Sequence, residues 1–273
     1  MASVDTKGRG LVKLVAVAKK ALYIVGLPMV LITLWWVGTA NSGSYYFPSL
    51  GKIAQAFGDS WLTGERLTKD VVPSMLRLAA GYAICVVSGV GLGVFLGLHR
   101  RARATVEPVL EFFRAIPPPV LIPVLIIVAG IGDGMKILVI VLGAVWPVLL
   151  NTVEGVRAVD DVLSDTSRSY GIAGAARIRH LVLPAASPQI VAGMRQALSI
   201  SIILMVISEM FASSSGLGFT VVQFQRGFAI PQMWSGIIVL GLLGFALSLA
   251  FGVFERRALG WYHGLRRAQL GEK

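Results

Sequence analysis

Six runs of this chain are apolar nearly throughout: residues 21–39, 76–98, 118–131, 135–150, 190–212 and 234–254. A helix needs about 20 such residues to cross a hydrocarbon core. The third and fourth runs fall short of that. The third is expected to begin earlier, near Val106, and to bend at Pro117-Pro118-Pro119. Polar and charged segments separate the runs. The pattern predicts an all-α membrane protein with six transmembrane helices over 21–254. Residues 1–20 and 255–273 form the tails. The first run is followed by polar Asn41-Ser42-Gly43-Ser44 and reads as a retained span rather than a cleavable signal.

Composition supports lipid as the main solvent. Of 273 residues, 55% are hydrophobic and only 14% charged, and mean hydropathy is +0.75. Soluble domains carry about 25% charged residues. The net charge of +11 raises the alternative of nucleic-acid binding, which would cluster Lys, Arg and aromatics on one folded face. Here the basic residues flank the apolar runs. The two tails and the second-to-third and fourth-to-fifth loops hold 17 Lys and Arg, against 5 in the alternate loops. The positive-inside rule places the first group, both termini included, in the cytoplasm. Residues 8–20 mix lysines with Leu11, Val12, Leu14 and Val15. They form either an interfacial helix or an extension of the first span.

Local signals refine the picture. Ile53, Ala54, Ala56 and Phe57 suggest a short amphipathic helix on the outer face. Gly89, Gly93 and Gly97 recur every four residues on the second span, the spacing that lets membrane helices approach closely. They serve packing within the bundle or dimerisation. Cys85 lies in an apolar run and has no cysteine to pair with. His99, His180 and His263 fall in loops and tails without a catalytic partner. A membrane enzyme is therefore disfavoured. A gradient-driven secondary transporter would show repeats and ionisable residues at the midplane, and neither is evident.

The fourth-to-fifth loop, 152–188, carries the most information. Asp160 and Asp161 can cap a helix start. Gly171 suits a helix stop in the left-handed region. A second helix is expected over 173–183, ended by Pro184. The result would be a compact knob. Its sequence, Asp165-Thr166-Ser167, three residues, Gly171, nine residues, Leu181-Val182-Leu183-Pro184, resembles the "EAA" loop of ABC importer permeases. That pattern is Glu-Ala-Ala, three residues, Gly, nine residues and Ile-x-Leu-Pro. Thr166 and Ser167 stand where the family has alanines. Phe47-Pro48-Ser49, Arg114-Ala115-Ile116-Pro117-Pro118, Gly130-Ile131-Gly132 with Lys136-Ile137, and Ser208-Glu209-Met210 with Ser214-Ser215-Gly216-Leu217-Gly218 are similar to further stretches of the nitrate/sulfonate/taurine branch.

The resemblance implies a type I importer permease bundle. It also implies coupling through 160–184, with Asp165, Thr166, Ser167, Tyr170, Gly171, Leu181, Leu183 and Pro184 as contacts to a cytoplasmic ATPase dimer. Further implied partners are a second permease copy, forming a homodimer, and an external substrate-binding protein. The chain has no Walker-type phosphate loop. This inner-membrane chain is thus expected to be no enzyme and to hold no cofactor, with ATP and Mg on the partner ATPase. The solute class implied is a small anion such as a sulfonate, taurine or nitrate, with vitamin-like heterocycles and aromatic acids as the alternative. Candidate path residues are Ser201, Met205, Ser208 and Glu209 on the fifth span, with Arg195 nearer its cytoplasmic end. Serines at helical spacing suit either a path or a helix contact. Glu209, an acid inside an apolar run, is either a gate or a group bonded near Ser213–Ser215. Ser213-Ser214-Ser215-Gly216 is expected to break the helix before a short external element over 217–230.

Overall fold

The computed structural model describes residues 25–40, 44–62, 64–211, 213–262 and 264. The possible interfacial helix at 8–20 and the tail beyond 264 lie outside them. Among the described residues every regular element is helical. The first is α1, Val25–Ala40, with side chains such as Leu27, Leu34 and Val37 exposed along it. It meets the rest at one end. There Trp35 stacks edge-on against Trp234, ring centroids 4.8 Å apart, and also meets Phe47. Next comes α2, Leu50–Trp61, which buries Ile53, Ala56 and Trp61. Its Trp61 indole donates to Ser235 Oγ at 2.9 Å.

The bundle centre is α6, Asp133–Arg157, gripped by α3, Val72–Leu98, and α9, Leu183–Phe211. Glycines let the axes approach. A Cβ built on Gly81, Gly89, Gly93 or Gly97 of α3 would fall within 3 Å of Ile140, Val148, Thr152 or Val156 of α6. Each pair differs by 59 in number, so α3 and α6 run parallel in a fixed register. On the other side Gly193 meets Pro147 and Asn151, and Gly155 meets Ala186 and Gln189. α9 is thus antiparallel to α6. The last long helix, α11, Ile230–Ala258, runs antiparallel to α9, with Phe251 and Leu259 packed around Val191.

Two parallel helices require a return crossing between them. α4, Arg100–Ala115, and α5, Ile122–Ala129, supply it together with the tight 3₁₀ turn Pro118–Leu121. The bend expected at Pro117-Pro118-Pro119 is present, as an 85° break. Three consecutive prolines offer no backbone donors, and Ile116 and Pro117, each before a proline, are extended at ψ 119° and 122°. α4 is amphipathic with no buried residue. The third span is therefore a broken one, whereas α3, α6, α9 and α11 are each long and apolar enough to cross.

Two π-helical turns share one cause. Leu67–Val71 precedes Pro73 and leads into α3. Ile178–Val182 precedes Pro184 and leads into α9. In an α-helix each proline ring would collide with the carbonyl four residues back, Lys69 or His180. The wider π turn lies at those carbonyls and makes room. Pro184 therefore does not end a helix. The run from α8, Gly174–Arg177, through the π turn to Phe211 is continuous. The loop is correspondingly shorter than 152–188, because α6 persists to Arg157.

Candidate functional site

Between α6 and α8 lies the knob, built on α7, Asp161–Ser169. Asp160 caps it. Its Oδ1 accepts from Val162 N at 2.8 Å and Leu163 N at 3.2 Å, satisfying donors the first turn leaves free. At the far end Gly171 takes φ +68°. Its N–H donates to Arg168 O at 2.9 Å, and Ile172 N donates to Ser167 O at 2.9 Å, which turns the chain back. Ser167 Oγ closes the turn by donating to Ile172 O at 3.0 Å. An alanine there would lack that bond. Arg177 Nη2 then donates to Ser164 Oγ at 2.7 Å, tying α7 to the helix that continues into the membrane bundle.

The knob's two faces differ sharply. Ser164 and Ser167 are buried, but Val162, Leu163 and Tyr170 are 71%, 51% and 79% exposed. Asp165 and Thr166 share the open side, where Asp165 pairs with Arg168 at 3.1 Å. Leu181 and Leu183 are half-buried, and Pro184 is exposed. Between them Val182 is 1% exposed in a cluster with Val94, Val156, Ala186 and Ile190. The structure thus brings Asp165, Thr166, Tyr170 and Gly171 together on one surface. It puts Leu181, Leu183 and Pro184 on the arm behind it. Val162, Leu163, Ser164 and Arg177 were not among the site residues expected from the sequence. The 3.6-residue period of a helix starting at Asp161 would have shown Ser164 and Ser167 facing inward together.

At the opposite end of α9 is a buried charge cluster. Glu209 is fully buried. Its carboxylate accepts from Arg77 Nη1 at 2.7 Å, Ser74 Oγ at 2.8 and 2.9 Å, and Gly218 N at 3.0 Å. Arg77 also donates through Nε to Asp133 at 2.7 Å, and through Nη1 and Nη2 to the carbonyl and hydroxyl of Ser215 at 3.1 Å each. Lys136, 4% exposed, stands 3.6 Å from the same Asp133 oxygen. Nearby, Asp70 Oδ1 accepts from Gly216 N at 3.1 Å, and Ser74 Oγ accepts from Leu217 N at 2.9 Å. These last groups begin α10, Leu217–Arg226, a helix too short to cross a membrane. Such burial of ions is sustained only with complete pairing.

The proposed path residues are scattered by this arrangement. Ser201, Met205, Ser208 and Glu209 are sealed inside the bundle. Ser208 donates to Met205 O at 2.9 Å. Arg195 lies about 21 Å along α9 from Glu209 at 1.5 Å per residue. It is exposed and pairs with Glu255 of α11 while covering the Phe251 ring.

Comparison with known proteins agrees with this geometry. The family described as "Binding-protein-dependent transport system inner membrane component" matches residues 89–260. The taurine transport system permease protein TauC of Escherichia coli (strain K12) is 30% identical over 244 residues, 87% of this chain and 89% of the relative. The putative aliphatic sulfonates transport permease protein SsuC of Bacillus subtilis (strain 168) is 30% identical over 237 residues, 86% of each chain. The bicarbonate transport system permease protein CmpB of Synechococcus elongatus (strain ATCC 33912 / PCC 7942 / FACHB-805) is 29% identical over 180 residues, 66% of this chain and 65% of the relative. In fold, the chain resembles the inward-facing MetNI methionine ABC transporter, with TM-score 0.61 and 22% identity. The match covers 73% of this chain and 99% of that one. A capped knob between antiparallel spans, the extended sequence match and the shared fold lead to one conclusion: the chain belongs to the binding-protein-dependent transport system inner membrane components, the permease subunits of ABC importers.

Proposed function

We propose that two copies of this chain form the translocation path of an importer for a small anion. A sulfonate such as taurine fits the relatives named for taurine and aliphatic sulfonates. With six spans, both termini and the 158–173 knob face the cytoplasm, a reading supported by the bias of Lys and Arg toward those segments. An external binding protein delivers the solute to the other face. ATP and Mg²⁺ bind a separate ATPase pair that docks on the knobs. Within one copy, Ser201, Met205 and Ser208 reach solute only if the bundle parts along α9, whereas Arg195 needs no such parting.

The observation that carries this reading is the open apolar face of the knob, Val162, Leu163 and Tyr170, on a scaffold of caps and side-chain bonds. Exposed apolar groups outside the lipid-facing spans favour a protein partner. Co-expression with the ATPase and purification in detergent tests it. The parent should retain the ATPase. The double variant Leu163→Asp/Tyr170→Asp should insert normally yet lose it. Equal retention by both would rule out docking at this face. A thermal-shift screen of the co-purifying binding protein against sulfonates, nitrate and bicarbonate tests the solute class.

A further inference from the structure

We propose that Arg77 and Glu209 are positioning residues that clamp the first turn of α10 as a closure over the external end of the bundle. The orientation rests on the permease reading above. The first N–H groups of a helix lack partners within it. Here Gly216, Leu217 and Gly218 give theirs to Asp70, Ser74 and Glu209, side chains from the π turn before α3, the start of α3 and the end of α9. Arg77 binds the same carboxylate and, through Ser215, the segment leading into α10. One buried ion pair thus joins three elements.

The fit is too close to be incidental. A Cβ on Gly216 would lie 2.5 Å from the Glu209 carboxylate, and one on Gly218 would lie 2.4 Å from Val206 O. Both ends of α10 are also marked by unusual backbone. Gly216 takes φ +116°, and Phe228, just past the last turn, takes φ +56°, a conformation bulky residues rarely adopt. α10 is therefore a short, separately bounded piece held by polar bonds at its start.

A cleft of about 370 Å³ opens beside the clamp, lined in part by Glu65, Lys69, Ser214, Phe219 and Gln223. Asp70 and Ser215 belong to both cleft and clamp. Whatever enters from outside meets the groups that hold α10. Glu65 in this cleft is kept below its ordinary pKa by the hydrogen bond and charge of Lys69.

The chain supplies its own reporters. Thr220 of α10 is 1% exposed, and its hydroxyl has no hydrogen-bond partner, so Thr220→Cys sacrifices no bond. Cys85 is the sole native cysteine and is fully buried in α3. In the transporter with its ATPase in proteoliposomes, a membrane-impermeant maleimide is added and each cysteine is read by mass spectrometry. With the clamp intact, both should be protected. Glu209→Gln should speed labelling at residue 220 about tenfold, as loss of a charge-assisted bond holding a local opening would. Cys85 should stay protected. Unchanged labelling at 220 overturns the proposal, as does parallel labelling of both sites, which would mean general loosening. If Glu209→Gln does not assemble, Ser74→Ala is read by the same criteria. ATPase retention, scored on the same sample, judges the permease reading separately.

Discussion

At the scale of single residues, the glycines of α3 allow a sharp comparison. Gly93 faces Thr152 so closely that an added Cβ would sit 2.5 Å from its Cβ and 2.9 Å from Leu149 O. Gly91, two residues earlier on the same helix, faces open space. Gly93→Ala should therefore destabilise the purified protein by about 1–3 kcal/mol, the usual range for overpacking. Gly91→Ala should leave it unchanged. Thermal unfolding in detergent separates them, and equal melting points would contradict the register between α3 and α6. Ser167→Ala should cost about 0.5–1.5 kcal/mol locally, since only its bond to the Ile172 carbonyl is lost. ATPase retention should survive that change. The four-residue glycine spacing was visible in the sequence. Its target was not, because nothing local marks Thr152 as the partner of a residue 59 positions away. Glu209 was visible as an anomaly for the same reason that it is anchored: an acid in an apolar run needs a counter-charge. Arg77 stands 132 positions earlier, so only the fold discloses the pair.

At the scale of elements, turn chemistry accounts for what could be read and what could not. Asp160 and Gly171 mark the two ends of α7 because a cap and a left-handed residue are local requirements. Pro184 was misread, since a proline normally stops a helix. Here the preceding π turn absorbs the clash and the helix runs on. The same device precedes Pro73, whereas Pro108, Pro147 and Pro188 lie inside α4, α6 and α9 without one. Gly171→Pro provides the matching test. Proline cannot adopt φ +68° and lacks the N–H given to Arg168 O. The variant should insert and fold its spans, retain little ATPase and show uptake reduced at least about tenfold, if the docking free energy falls by about 1.4 kcal/mol or more. Normal ATP-dependent uptake would show that the shape of this turn does not matter for coupling. The prolines at 117–119 make the opposite case. No π turn precedes them, and the chain breaks by 85°.

For the whole molecule, hydropathy and charge bias converge on one arrangement that the packing respects. α3 and α6 run parallel and α9 antiparallel to them, as alternating spans demand when the broken α4–α5 unit makes one crossing. Sidedness is open to direct measurement. Tyr170→Cys, at a position 79% exposed, should react with an impermeant maleimide only in inside-out vesicles. Phe228→Cys, at a position 65% exposed, should react only from outside. The reverse pattern would invert the assignment. The apolar runs could be read because lipid imposes the same demand on every span. The bent third crossing was legible too, in its short apolar run and its three prolines; only the sharpness of the break, 85°, had to come from the fold.

The constant offset between α3 and α6 bears on how such a chain can drift in length. Four contacts share one numbering difference, so a single insertion between Gly97 and Ile140 changes the offset without disturbing any contact, provided the extra residue is taken up near Gly130–Gly132. The same insertion between Gly89 and Gly93 would mismatch every contact on one side of it. Length variation among relatives should therefore collect in the segment joining the two helices and vanish along their shared stripe. An alignment scored for gaps would reveal this without reference to which residues are conserved.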